Sequence, residues 1–172
     1  MADQHTIFTL GTVWKYGDNV NTDVIFPGKY TYTLTDPNEM ARHALEDLDP
    51  TFAANVKPGD VIVAGKNWGN GSSREQAVVC LKRAGVAAVI GESFGRIWYR
   101  NAINQGLLAL TCPQAVAALQ KGDHARVDLQ AGHIISNRGT FTFPPFPPTV
   151  QAILADGGLI PHLQAKLAGE KG

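Results

Sequence analysis

The sequence predicts a single α/β domain whose mixed or parallel sheet is flanked by helices. A length of 172 residues matches one domain at roughly 100–200 residues each, and 44% apolar residues are enough for a globular core. Between Val61 and Leu110, short apolar runs alternate with segments of helical spacing. This strand, helix, strand, helix, strand order implies right-handed crossovers and parallel pairing. One domain is expected over 1–172, with its core at about 8–165 and terminal helices after a Pro-rich linker at 144–148.

Taken in order, FTLGTVWKYG reads as a strand pair around Gly11, and DNVNTDVIFPG as a polar loop. Asp36-Pro37-Asn38-Glu39 has the form of a capping box with proline at the first helical position. Met40, Ala41, Ala44, Leu45 and Leu48 then recur at helical spacing up to Pro50. Val61 to Ala64 is short and apolar throughout, as a strand buried on both faces should be. Ser72 and Glu75 suggest a second capping box, opening a helix that presents Ala77, Val78, Leu81 and Ala84 and stops at Gly85. Val86 to Ile90 reads as a strand, Ser93 as the cap of a helix running to Gly106, and Leu107 to Leu110 as the next strand. A short helix follows Pro113 and is expected to stop at Gly122. Residues 125–143 alternate apolar and polar like a β-meander. PPFPP forms a stiff extended linker, and one or two helices broken at Gly157-Gly158 close the chain.

Charge and composition exclude several functions. Fifteen basic residues balance fifteen acidic ones, so no whole-molecule field favours nucleic acid or an anionic membrane. No run approaches the roughly 20 apolar residues that span a bilayer, and MADQHTIFTL lacks the basic start and apolar stretch of a leader. A cytoplasmic location is therefore expected. Cys80 and Cys112 match no paired ligand spacing and read as buried thiols. The five histidines are dispersed, so no metal site and no iron–sulfur ligand set is expected in this chain alone. With 17% charged residues the surface is sparsely charged, which hints at a partner.

The segment richest in chemistry is GNGSSRE, between a buried strand and a helix. Gly69 and Gly71 allow a tight turn and close approach of a ligand, and a helix start favours a carboxylate or phosphate. Ser72, Ser73 and Arg74 stand on the rim of this anion seat, and arginine can grip a carboxylate with two parallel hydrogen bonds. The plainer alternative is that Ser72 only caps the helix and Arg74 is a solvated charge. A dinucleotide fingerprint is disfavoured because Arg74 replaces its third glycine, and no G-K-[ST] triphosphate loop is present.

KNWGNGSSREQA, preceded by GDNVNTDVIFPGKY and followed by AGVAAVIGESFGRIWYRNAINQGL, resembles the small subunits of 3-isopropylmalate dehydratases and their relatives in the aconitase superfamily, over roughly residues 8–165. The resemblance implies the swivelling β/β/α domain of that superfamily. It also implies a hydro-lyase active only with a large subunit, as a heterodimer or heterotetramer, and a [4Fe–4S] cluster supplied by that subunit and not by this chain. The substrate implied is a small 2-hydroxy dicarboxylate, foremost 3-isopropylmalate in leucine biosynthesis. By the same resemblance Ser72 is the base that removes a proton beside a carboxylate, and Ser73 and Arg74 hold a substrate carboxylate next to it, with Gly71 in the same turn. Glu75 is better read as a capping partner than as a catalyst.

Two positions depart from the family pattern. Tyr30-Thr31-Tyr32-Thr33 stands where many relatives carry Tyr-Leu-Arg-Thr, so Tyr32 replaces an arginine that contacts substrate, with Thr31 and Lys29 beside it. Asn70 replaces a common cysteine. Both bear on which acid is taken, and dimethylmalate, citramalate and homoaconitate are alternatives to isopropylmalate. A non-catalytic carboxylate-binding module is the alternative from another class. Trp14, Trp68 and Trp98 read as core or interface, and Arg96 and Arg100, four apart on a helix, as a cationic strip facing solvent or a partner.

Overall fold

A computed structural model of the chain describes residues 10–72 and 74–171. In order, it contains β1 (Gly11–Lys15), α1 (Thr22–Ile25), a 3-10 turn (Gly28–Tyr30), α2 (Pro37–Arg42), α3 (Phe52–Asn55), β2 (Val61–Val63) and α4 (Gln76–Ala84). There follow β3 (Ala88–Gly91), α5 (Arg96–Asn104), β4 (Leu108–Thr111), α6 (Pro113–Ala118), β5 (His124–Asp128), β6 (His133–Ser136), β7 (Gly139–Thr142), α7 (Pro148–Ala155) and α8 (Leu159–Lys171).

The strands form one mixed sheet in the order β4-β3-β2-β1-β5-β6-β7. Its first four members are parallel, with Val61 opposite Val13 and Ala88, and the last three are joined to β1 and to each other antiparallel. The period of two sorts each apolar run between two cores. Trp14, Ile62, Val89 and Ala109 pack on one face with Phe26, Phe52, Trp68, Leu81 and Trp98. Val13, Val61, Val63, Ala88, Ile90, Leu108 and Leu110 pack on the other with Ile134, Phe143 and Leu154. Each such large side chain, fully buried, contributes roughly 1.5–3 kcal/mol, which suits β2 and β3, where no polar side chain occurs.

The parallel β2-α4-β3-α5-β4 unit, the meander of β5 to β7 and the terminal helices on either side of Gly157-Gly158 agree with the sequence expectations, as does Gly85 capping α4 in the left-handed region. Trp14, Trp68, Trp98, Cys80 and Cys112 are buried. Asp36 caps α2 through the N–H of Asn38 at 2.9 Å.

Other local expectations are corrected. Gly11 is not a turn between two strands: it begins β1, and a Cβ there would lie 1.8 Å from the carbonyl oxygen of Gly59. The segment before Gly11 lies outside the described residues. The polar loop after β1 contains a helical turn, capped by Asn21 through the N–H of Val24. The helix read up to Leu48 ends at Arg42, because Leu45 adopts φ 57° to donate its N–H to Ile25 at 2.8 Å; Leu45 is buried and Leu48 exposed. Ser72 and Glu75 form no capping box, since α4 starts at Gln76 with no side-chain cap. Ser93 does not cap α5, which follows Gly95; its hydroxyl accepts from the N–H of Asn67. The helix after Pro113 stops at Ala118, before Gly122.

Candidate active site

Parallel strands release their following loops at one edge, and three loops meet there. The loop after β2 is bridged to the loop after β1 at Asn70 and Asn21, and to the loop after β3 at Trp68 and Phe94. Backbone bonds fasten the first contact, Thr22 N–H to Asn70 O at 2.9 Å and Gly69 N–H to Val20 O at 2.8 Å. Clefts beyond the carboxyl ends of parallel strands are where α/β sheets bind ligands.

Gly69 sets the path of the loop. Its φ is 79°, and a Cβ there would come within 2.3 Å of Cγ of Trp98, so the backbone lies against the indole only without a side chain. Trp98 is in turn fixed by its Nε1, which donates to the carbonyl of Ala77 at 3.1 Å. The loop then turns through Gly71, at φ 107°, whose N–H finds no acceptor among the described residues.

Ser72 is exposed, and its Oγ lies 3.3 Å from Oγ1 of Thr22 and accepts from Nε of Arg74 at 3.2 Å. Thr22 is 2% exposed, one of three polar or charged residues in the buried set. Arg74 is held on several sides: it donates to Oγ1 of Thr31 at 2.5 Å and forms a close ion pair with Asp23. Its side chain is 18% exposed, far less than that of Asp23. Gln76 donates to the carbonyl of Thr31 at 3.0 Å, tying the same segment to the start of α4.

The structure thus brings Gly71, Ser72, Arg74 and Thr31 together. Ser73 lies outside the described residues. Tyr32 stands beside this group, 96% exposed. Lys29 is turned to Glu46, at 4.0 Å, and to the ring of Tyr30. Arg74, read in the sequence as a free carboxylate grip, is already engaged by three side chains, so its position is set before any ligand arrives. Asn70 donates to the carbonyl of Asn67 at 2.9 Å, bracing the loop. Thr22 and Asp23 received no role from the sequence; their only signal there is an Asn-Thr-Asp run, with the acid two residues after the capping Asn21.

A cleft of about 490 Å³ runs from Gly69, Asn70 and Gly71 to Gly95, Arg96, Ile97 and Arg100. Elsewhere, burial pushes the Cys80 thiol above its usual range, so it remains protonated and supplies no nucleophile.

A hydroxyl held by a cation on a glycine-rich turn, at the carboxyl edge of a four-stranded parallel unit, marks the chain as an α/β domain with its candidate site at a strand-to-helix loop. The chain belongs to the aconitase C-terminal domain family, whose pattern it matches over residues 16–115. It is similar to the 3-isopropylmalate dehydratase small subunit of Moorella thermoacetica, with 50% identity over 159 residues, or 91% of this chain and 95% of that one. The 2,3-dimethylmalate dehydratase small subunit of Eubacterium barkeri is 47% identical over 157 residues, 90% of this chain and 96% of that one. The crystal structure of 3-isopropylmalate dehydratase from Methanocaldococcus jannaschii superposes with a TM-score of 0.88 at 42% identity, over 97% of this chain and all of that one.

Proposed function

We propose that the chain is the small subunit of a hydro-lyase that isomerises 3-isopropylmalate in leucine biosynthesis by dehydration and rehydration, with Ser72 as its base. The observation that carries this reading is the placement of Ser72 Oγ between Thr22 Oγ1 at 3.3 Å and Arg74 Nε at 3.2 Å. Small subunits at 50% identity support it. A serine hydroxyl is a weak base in water; a fixed guanidinium and a second hydroxyl donor favour its ionised form. In that form Thr22 O–H and Arg74 Nε–H both donate to Ser72 Oγ, which takes the proton from the carbon beside a substrate carboxylate. Asp23 and Thr31 fix the direction of Arg74, so the charge need not reorganise during the reaction.

The substrate carboxylate is received by the Gly71 N–H, Ser73 and the remaining face of Arg74. Thr31 and Tyr32 stand beside it and act on the substituent, which Lys29 would reach only by leaving Glu46. Tyr32 offers a hydroxyl and an aromatic face in place of a charge, so it is the position at which 3-isopropylmalate and 2,3-dimethylmalate would be told apart.

Among the described residues no three His, Cys, Asp or Glu side chains converge. Cys80 and Cys112 are buried in opposite cores. The described residues of this chain do not fit a [4Fe–4S] cluster, and every step assigned to it is one of binding or proton transfer. In the proposed heterodimer or heterotetramer such a cluster would be supplied by the large subunit.

The test is turnover of 3-isopropylmalate by the chain reconstituted with its large subunit. Activity on 3-isopropylmalate above citramalate, homoaconitate and 2,3-dimethylmalate is expected, and Tyr32→Arg should change the ranking. A complex that binds the acid but never dehydrates it would leave a carboxylate-binding module instead.

A further inference from the structure

We propose that the exposed edge of α5 carrying Arg96, Ile97 and Arg100 is the surface on which the large subunit docks, and that it meets carboxylates there. This rests on the reading of the chain as one half of a two-chain hydro-lyase, and it names the contact between the halves.

Arg96 and Arg100 are one helical turn apart, so their guanidiniums rise from the same side of α5. Both are exposed, and neither has a hydrogen-bond or ion-pair partner among the described residues. Arg74 and Arg138, by contrast, are ion-paired with Asp23 and Asp123, and Arg83 donates to Asn38. Ile97, between the two, is 50% exposed. The three line the cleft of about 490 Å³ whose other wall is Gly69 to Gly71, the turn that leads directly into Ser72.

Continuity with that turn decides what covers the cleft. A small dicarboxylate is only a few carbon–carbon bonds long, so a chain supplying the other half of its site must close over the loop next to Ser72. Anything that does so also covers the adjoining cleft. Two guanidiniums without counter-ions resist removal from water, and pairing offsets that resistance. The complementary surface therefore presents Asp or Glu to Arg96 and Arg100, with an apolar contact on Ile97. Since the chain as a whole is neutral, this attraction is local to the patch.

Binding of the purified large subunit to the chain and to R96E/R100E, measured by calorimetry at about 50 and 300 mM salt, tests the proposal. Charge reversal should weaken Kd by about tenfold or more at low salt and flatten its salt dependence. Turnover lost at limiting large subunit should return once its concentration exceeds the new Kd. R96Q/R100Q, with melting measured alongside, should fall between the two and separate docking from misfolding. An unchanged Kd with unchanged salt dependence overturns the proposal. So does turnover that stays low at saturating large subunit while Kd is unaltered, which would place the arginines on the substrate. Failure of the underlying reading looks different: Ser72→Ala would retain turnover in a complex of normal affinity.

Discussion

The two halves of the sheet are built on opposite principles. Every residue of β2 and β3 is buried, because helices cover one face and the second core covers the other. In the antiparallel half burial alternates, with β5 reading exposed, buried, intermediate, buried, intermediate, and β7 mostly exposed. Parallel strands return their following loops to one edge, which is how Thr22 comes to touch Ser72, 50 positions further along the chain, and Gly71 to share a cleft with Arg96, 25 positions further along. Antiparallel hairpins send alternate turns to opposite edges and can assemble no such cluster. The meander instead pairs with β1 and lends Ile134 and Phe143 to the second core. Reactivity and stability are thus expected in different places, and substitutions can test that separation.

The largest effect is expected at Ser72. Ser72→Ala should lower turnover of the reconstituted complex by about 10²–10⁴-fold, the range for loss of a general base. Because the side chain is exposed, unfolding free energy should change by about 0.5 kcal/mol or less. Kinetics and thermal melting on the same preparation check both, and retention of turnover within about tenfold would remove Ser72 as the base.

Asp60, at the opposite end of β2, should give the reverse. Its carboxylate accepts from the N–H of Thr12 at 3.0 Å, Nε1 of Trp14 at 3.0 Å and the N–H of Lys57 at 2.9 Å. Asp60→Ala orphans these donors, and a loss of about 2–4 kcal/mol in urea unfolding is expected, with turnover per folded molecule unchanged. A parallel fall in turnover would show that the site is not insulated from the far edge.

Thr22 is buried yet touches the Ser72 hydroxyl, so it sharpens the comparison. Thr22→Val keeps the shape and removes the donor, and should reduce turnover about tenfold, the worth of one hydrogen bond. Thr22→Ser should restore most of it in the same assay. Equal losses in both variants would reduce Thr22 to packing.

The smallest effect belongs to the meander. Asp123 is held down to about pKa 2, first by the hydrogen bond from Arg138 and then by the N–H of Gln120. Its folded value is below the unfolded one of about 3.9, so its stabilisation is complete above that pH and lost as pH falls through about 2. Arg138→Ala should move the acid-unfolding midpoint upward by about half a pH unit or less, followed by fluorescence, with turnover at neutral pH unaffected.

The sequence by itself determined the parallel unit, since the runs from Val61 to Ala64, Val86 to Ile90 and Leu107 to Leu110 are apolar enough to be buried on both faces and are spaced by helices. It determined the meander through alternation, and it marked Gly69 to Arg74 as the candidate site, because glycines next to serines and an arginine fit no core. Local signals failed where a distant partner outweighed them. Leu45 leaves its helix to reach the carbonyl of Ile25, and Gly11 is required by the backbone of Gly59 rather than by a turn. Only the tertiary structure decided that Thr22 supports Ser72, that Asp23 and Thr31 engage Arg74, and that Arg96 and Arg100 border the same cleft. Composition and spacing describe residues close along the chain, whereas the order of parallel strands fixes which loops share an edge.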